Sequence, residues 1–225
     1  MCIRDSNSGP SGGSRQQVVT GNAIKNGAEA LLAAMKKKSG KYRTYEEMVK
    51  AKLPLRYAGK WAASMNAGCD LQTSQGKPFA VYMYGVFMAE VAVEVKTGKV
   101  TVEGMTLVAD VGKINNRLVV DGQIYGGIAQ GIGLALKEDF EDLTKDVNIK
   151  ACGIPYANDI PDKLDILYVE TPRPNGPFGA AGVGELPLTS PHVSIMNAIN
   201  NACGVRIKHL PARPEKVLAA LKAKK

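Results

Sequence analysis

The sequence predicts a protein of the mixed α/β (α+β) class, and three observations support this. Apolar residues make up 45% of the 225 residues, which is enough for a packed core. Two neighbouring stretches, 79–95 and 100–111, are rich in Val, Tyr and Phe, as strands are. Apolar residues recur at helical spacing on both sides of these stretches. Strands and helices in one chain favour helices packed on a sheet.

Two helices are predicted ahead of the strands. The sequence Thr44-Tyr45-Glu46-Glu47 is typical of a capping box, and it predicts a short helix that ends before Pro54. An earlier helix is predicted to begin at Asn22 and to stop at Gly40. Its inward face is expected to consist of Ile24, Ala28, Leu31, Leu32 and Met35.

The two strands are predicted to form a β-hairpin, because Thr97-Gly98-Lys99 between them suits a turn. A helix follows within 121–143, where Gly127 and Gly131 lie one turn apart and permit close approach by another backbone or a ligand. We expect a loop at 145–163 and a short strand at 164–169. The inward positions of the helix are expected to be Ile128, Ile132, Ala135, Leu136 and Phe140.

The C-terminal part of the chain predicts two more helices. Ser190 is expected to cap the first of them, with Pro191 in its first turn and Gly204 at its end. The second starts near Pro214. The inward residues of the first are expected to be Val193, Met196 and Ile199.

Charge and composition exclude several classes of protein. The net charge of +8 raises nucleic acid as a partner, but the lysine clusters at 36–38 and 222–225 lie near predicted helix ends without interleaved aromatic residues. We therefore expect no specific nucleic-acid binding. No apolar run approaches the roughly 20 residues of a membrane span, and no signal segment opens the chain, which predicts a cytoplasmic protein. None of the four cysteines forms a CxxC pair, so no zinc or iron–sulfur site is expected within the chain.

The first six residues, MCIRDS, differ in character from the rest. They resemble a translated sequencing adapter, and we expect residues 1–6 to be a non-native scar. Residues 7–225 are then expected to be part of a longer chain.

Three glycine-rich segments, 11–16, 122–133 and 179–185, have the composition of loops that hold ligands. Glycine lets backbone N–H groups approach an anion, although such segments are more often simple turns. The sequence contains no Walker loop and no G-x-G-x-x-G after a strand, which disfavours the common nucleotide pockets. Side-chain donors stand in or after the first segment, just before the predicted helix: Ser14, Arg15, Gln16, Thr20 and Asn22.

Glu185 is a single acid among small residues in FGAAGVGELP. It could be a structural acid that favours the dipole of the helix after Ser190. Alternatively, it could be a general base in a poorly hydrated pocket of small residues. The residues alone leave both interpretations open.

Four motifs, in order, resemble the large molybdenum subunit of the xanthine oxidase family, especially its aldehyde oxidoreductases from sulfate-reducing bacteria. They are GGSRQQVVTGNA, DVGKINNRLVVDGQIYGGIAQGIGLAL, GAAGVGELPL and NACGVRIKHLPARPEKVL. The resemblance covers nearly everything after the first six residues. It implies the C-terminal half of the molybdopterin-binding domain, a mixed sheet with packed helices.

The resemblance also implies a site. Molybdenum would be held by the dithiolene of molybdopterin cytosine dinucleotide, with no direct protein ligand. Glu185 matches the catalytic acid of the family, which takes a proton from the attacking water; the small flanking residues would leave room for the cofactor. The cofactor-binding residues implied are Gly12, Gly13, Ser14, Arg15, Gln16, Thr20, Gly21, Asn22, Asn116, Gln123, Ala181, Gly182, Val183 and Gly184.

The function implied is oxidation of an aldehyde to a carboxylic acid, with water as the oxygen source. The [2Fe–2S] clusters of the family would lie in N-terminal domains or in a partner subunit, so we expect no turnover by this chain alone. Family likeness also suggests a homodimer. One alternative keeps the mechanism but uses a purine or another N-heterocycle, and another is a non-catalytic nucleotide- or nucleic-acid-binding module.

Overall fold

A computed structural model describes residues 9–63, 69–142 and 144–224. The predicted scar at residues 1–6 lies outside the described residues. The chain forms two compact units. Unit 1 comprises the described residues of Met1–Tyr82 together with Thr171–Gly182, and unit 2 those of Met83–Glu170 and Val183–Lys225.

Unit 1 contains helices α1 (Gln16–Met35) and α2 (Tyr45–Lys50). The capping box at α2 is confirmed, since the Thr44 hydroxyl accepts from Glu47 N–H and the Glu47 carboxylate accepts from Thr44 N–H. In contrast, α1 begins six residues earlier than predicted, directly after the left-handed Gly13 and Ser14 turn the chain.

The predicted inward face of α1 is wrong. Ile24 and Leu32 are 51% and 49% exposed, respectively. The helix instead buries Val18 and Asn22. Hydrophobic spacing identified a helix here, but the residues that pack against it selected a different side.

Unit 2 is built on a mixed three-stranded sheet of β1 (Tyr84–Glu94), β2 (Lys99–Asp110) and β3 (Lys163–Val169), in that spatial order. The predicted hairpin is confirmed: β1 and β2 are antiparallel, with a register shift at Glu90/Val91, and Gly98 has a φ of +79° in the turn. The third strand pairs with β2 in parallel. These observations confirm the mixed α/β class with a mixed sheet.

Three helices complete unit 2: α3 (Arg117–Leu136), α4 (Pro191–Cys203) and α5 (Pro214–Ala223). They share one hydrophobic core with the sheet, in which α4 packs on β1 and α3 packs on α4. Its fully buried side chains include Met105, Leu107, Ile124, Ile128, Ile132, Ile195, Ile199 and Val217. The opposite face of the sheet leaves Tyr84, Val86, Met88 and Leu167 exposed.

Several local expectations for these helices need correction. Helix α3 begins before the predicted 121, because Asn116 caps it, and Phe140 lies outside it and is 63% exposed. In α4 the inward residues are Ile195 and Ile199, whereas Val193 is 49% exposed. Ser190 stands at the N-cap position but its side chain makes no capping hydrogen bond. The predicted end of α4 is confirmed by the left-handed Gly204, with a φ of 70°.

Candidate functional site

In unit 1, the segment before α1 exposes its backbone. Gly13 and Ser14 have φ values of 63° and 56°, and the chain turns through them into the helix. An added Cβ on Gly12 or Gly13 would meet no heavy atom within 4 Å outside its chain neighbours. Packing around the Cβ position therefore does not require glycine at either residue, although the positive φ favours it at Gly13.

The N-terminal end of α1 has the electrostatics of an anion site. Arg15 at the N-cap position makes no side-chain cap, and the first turn contains no acidic residue. The guanidinium of Arg15 donates to the Pro10 carbonyl (3.2 Å), which holds a positive charge beside the partial positive charge of the helix end. Gln16 Nε2 lies 3.4 Å from the Gly9 carbonyl oxygen, to which it donates. Phosphate groups bind at such helix ends.

Thr20, Gly21 and Asn22 were expected before or at the start of the helix. The structure places all three inside α1. The Thr20 hydroxyl donates to Gln16 Oε1 at 2.5 Å, along one turn of the helix. This contact occupies part of the hydrogen-bonding capacity of both side chains within the helix.

Asn22 and Gly21 join α1 to the segment that precedes the Ala181–Gly182 loop. Asn22 is only 7% exposed, and its Nδ2 donates to the Asn175 carbonyl at 2.8 Å. An added Cβ on Gly21 would lie 2.9 Å from Pro177 Cγ. The contacts that Gly21 and Asn22 make are therefore structural ones. A contact of either residue with a cofactor stays a prediction.

The structure brings two of the predicted cofactor segments together within unit 1. An added Cβ on Gly182 would lie 2.1 Å from the Ser14 carbonyl oxygen and 2.8 Å from Ser14 Cβ. Ala181 beside it is buried. The small residues of this loop were expected to leave space for a cofactor. For Gly182 the structure gives another reason, because a side chain there would collide with the backbone of Ser14.

In unit 2, Asn116 and Gln123 belong to the first turns of α3. The Asn116 Oδ1 accepts from Val119 N–H (3.2 Å) and caps the helix. Gln123 is exposed. Gly122 and Gly126 border it, and an added Cβ on either would meet nothing within 4 Å. Glycine weakens the interior of a helix. The packing of the described residues does not require glycine at either of these two positions.

A charged cluster fixes the start of α3 on the sheet. Arg117 Nε lies 2.9 Å from Asp121 Oδ1, and the Tyr168 hydroxyl of β3 donates to the same carboxylate oxygen at 2.5 Å. The Arg117 guanidinium also lies 4.1 Å from the centre of the Tyr168 ring. Burial, and then the hydrogen bond to Asp121, raises the pKa of Tyr168 far above its usual value. Tyr168 therefore stays protonated and keeps donating.

Glu185 is exposed, but the residues directly after it are not. It stands at the start of a 3-10 turn, Leu186–Leu188, and its carbonyl accepts from Leu188 N–H at 3.1 Å. Leu186 is 8% exposed and Pro187 is fully buried. On the other side of Glu185, Val183 packs against the core while Gly184 is exposed. The backbone that carries the acid is thus held by the two buried residues that follow it. The role of Glu185 as a general base stays a prediction.

The sequence argument did not identify the packing partners of these glycines and of Asn22. Pro177 and Pro187 each contact a helix glycine, Gly21 and Gly127 respectively. The sequence contained a signal for these contacts, since each proline lies next to a predicted site segment, in NGPFG and in GELPL.

Within 9–63, 69–142 and 144–224, no group of three or more His, Cys, Asp or Glu side chains is arranged to hold a metal ion. In the same ranges, every helix is too short or too polar to cross a membrane.

Comparisons with known proteins identify the family of the chain. The family profile of the molybdopterin cofactor-binding domain matches residues 4–161. The aldehyde oxidoreductase of Megalodesulfovibrio gigas is 64% identical over 217 residues, which is 96% of this chain and 24% of that protein. A probable hypoxanthine oxidase of Escherichia coli K12 is 32% identical over 64% of this chain and 16% of that protein.

Solved structures give the same result. The aldehyde oxidoreductase from Desulfovibrio gigas matches with a TM-score of 0.93 and 63% identity, over 96% of this chain and 24% of that one. The enzyme from Desulfovibrio desulfuricans matches with a TM-score of 0.90 and 61% identity, over the same shares. This chain thus spans about a quarter of the length of these relatives. Since the family profile matches well over half of its residues, the chain belongs to the family of molybdopterin cofactor-binding domains.

Proposed function

We propose that this chain is part of a molybdenum-cofactor-dependent oxidoreductase that converts an aldehyde to a carboxylic acid, with water as the oxygen source. The observation that carries the proposal is the 64% identity to an aldehyde oxidoreductase across 96% of the chain. The probable hypoxanthine oxidase, whose name indicates a heterocyclic substrate, is 32% identical. We therefore favour an aldehyde over a purine.

The described residues fit a molybdopterin dinucleotide. Gly12 and Gly13 have room around their Cβ positions beside the N-terminal end of α1, and such a helix end suits the phosphates of the dinucleotide. Backbone also stands open at Gly122 and Gly126 on either side of Gln123, whose side-chain amide can donate to and accept from a pterin. The cytosine form of the dinucleotide is the form we propose, with molybdenum bound through the dithiolene alone.

The remaining residues of the proposed site act through their backbone or as supports. Ala181, Gly182, Val183 and Gly184 would lie along the cofactor, and Ser14, Arg15, Gln16 and Thr20 would shape the phosphate end. Gly21 and Asn22 join α1 to the segment before Ala181. Asn116 caps the helix that carries Gln123.

Glu185 is the general base in this proposal. Its carboxylate would take the proton from the water that attacks the substrate carbon, a role that requires hydrogen-bond reach of that water. When bound, the cofactor supplies the two-electron redox chemistry. The chain contributes a carboxylate on backbone held by the buried Leu186 and Pro187, with no bulky side chain at Gly184.

We also propose that electrons leave through [2Fe–2S] clusters held by other domains or by a partner subunit. The three cysteines among the described residues are not in disulfides and lie far apart in the sequence. A homodimer is a further expectation that rests on the resemblance, and a cytoplasmic location is one that rests on the sequence.

The test is Glu185→Gln in a chimaera of the Megalodesulfovibrio gigas aldehyde oxidoreductase in which this chain replaces the matched segment. Loss of a general base costs about 100- to 10,000-fold in rate. We expect aldehyde-dependent dye reduction to fall by that amount while molybdenum content stays unchanged. Glu103→Gln, at an exposed glutamate of β2, is the matched control and should change neither. Full activity in the Glu185 variant would refute the assignment and favour a module that only binds.

A further inference from the structure

We propose that Gly127 of α3 is a positioning residue for Glu185. This inference rests on the proposed function, in which Glu185 is the general base. It adds a residue that is not among the predicted cofactor-binding residues. Gly127 would act by setting the place of the turn that follows the acid. The residues concerned all lie in unit 2.

The turn after Glu185 sits directly on Gly127. An ideal Cβ built on Gly127 lies 2.5 Å from Pro187 Cβ, 3.0 Å from its Cγ and 2.9 Å from its carbonyl carbon. Carbon atoms in ordinary contact are about 3.5–4.0 Å apart, so a methyl group here requires a movement of about 1 Å. Because backbone is among the contacts, rotation of a side chain cannot supply that movement.

The opposite side of the turn is also occupied. Leu186 Cδ1 would lie 3.1 Å from a Cβ on Gly85 of β1, and Leu107 Cδ1 would lie 3.3 Å from it. Leu186 is therefore packed close to the sheet at a second glycine. A turn confined between α3 and β1 transmits a displacement of Pro187 along the backbone to Glu185, two residues earlier.

A displacement of this size matters for proton transfer. Catalytic groups must stay within hydrogen-bond reach of the reacting atoms, and a misplacement of about 1 Å can cost roughly 100-fold in rate. Glu185 directly precedes the Leu186–Leu188 turn, so a movement of this backbone also moves its carboxylate. Gly127→Ala should therefore reduce catalysis without removing any group from the site.

Helix α3 offers a matched control one turn further on. A Cβ on Gly131 would lie 2.5 Å from Pro191 Cβ and 2.7 Å from its Cγ, a clash like the one at Gly127. Pro191 opens α4, six residues after Glu185. Gly131→Ala should cost comparable stability but displace the start of α4 rather than the turn that carries the acid.

The experiment compares Gly127→Ala with Gly131→Ala in the chimaera defined above, loaded with cofactor. For Gly127→Ala we expect kcat to fall by about 10- to 100-fold with KM for the aldehyde and molybdenum content unchanged. For Gly131→Ala we expect kcat within about twofold of the parent, since the site is not displaced. A crystal structure of the Gly127→Ala variant should show a longer distance between the Cα atoms of residues 127 and 185.

Leu186→Ala is a second variant, for the case that Gly127→Ala does not accumulate. It removes the anchor of the same turn on the sheet side and should give the same loss of kcat. Its control is Ile199→Ala, a buried position of α4 away from the turn.

Three results decide the matter. Equal kcat in the Gly127→Ala and Gly131→Ala variants, or an unmoved residue 185 in the crystal structure, would overturn the positioning role. A selective loss of kcat at Gly127 would establish it. Retained activity in the Glu185→Gln variant would instead reject the proposed function itself, so the two failures are distinguishable.

Discussion

Asn22 allows a test of whether a predicted cofactor residue is in fact structural. Its side chain is 7% exposed and donates to the Asn175 carbonyl at 2.8 Å. Asn26, one turn further along α1, donates to the Lys60 carbonyl at the same distance of 2.8 Å but at an exposed position. The two asparagines thus share helix, residue type and bond length, and they differ in burial.

Burial sets the expected difference between Asn22→Ala and Asn26→Ala. Loss of the Asn22 hydrogen bond costs about 1 kcal/mol, and the partly buried carbonyl left behind adds up to about 1 kcal/mol more. Alanine returns about 0.5 kcal/mol through its higher helix propensity, which leaves a net loss of roughly 0.5–1.5 kcal/mol. At the exposed Asn26, water replaces the lost partner, so the net change should be close to zero.

The assay is urea unfolding of the purified chain, followed by the fluorescence of Trp61. This is the only tryptophan of the sequence, and it belongs to unit 1 together with both asparagines. A lower midpoint for Asn22→Ala than for Asn26→Ala, at equal slope, is the expected result. Equal midpoints would show that the Asn22 hydrogen bond does not stabilise unit 1, and the structural interpretation would then be wrong.

Three further predictions concern unit 2. Gly122→Ala should raise the stability of the chain by about 0.5–1 kcal/mol in urea unfolding, because the methyl meets nothing, yet lower molybdenum content in the chimaera if the cofactor lies there; unchanged loading would contradict that placement. Burial acts to raise the pKa of Asp159, but hydrogen bonds from Lys137 and from Tyr156 N–H lower it overall. The stabilisation from a lowered pKa is present above the unfolded pKa and is lost as the pH falls through the folded one. Asp159→Asn should therefore cost up to about 1 kcal/mol at pH 7, and this cost should shrink as the pH falls through the folded pKa. Burial raises the pKa of Glu138, so Glu138→Gln should change stability in the opposite direction at pH 7; equal signs in the two pH series would contradict both assignments.

Features that depend on a few neighbouring residues could be predicted. The capping box at Thr44 and Glu47 requires only side chains and N–H groups three residues apart. The hairpin requires a glycine able to adopt a positive φ, and Gly98 provides it. The end of α4 at Gly204 follows from the same property.

Features of the site were predicted only in outline. The sequence indicated that Gly127 and Gly131 meet something closely, but not that the partners are Pro187 and Pro191. It placed Asn22 among the donors before a helix, whereas the helix begins earlier and buries that side chain. Helical periodicity identifies a helix without telling which of its sides the rest of the chain will cover.

The sequence by itself determined the class of the fold, the family and the identity of the single acid in the FGAAGVGELP segment, because turn chemistry, patterning and ordered motifs are local properties of the chain. The tertiary structure decided the rest. It paired β3 with β2 in parallel, which joins residues 59 positions apart. It also brought Ser14 to Gly182, 168 positions away, and Pro187 to Gly127, 60 positions away. Contacts over such separations depend on how whole elements pack, and no pattern within either segment specifies them.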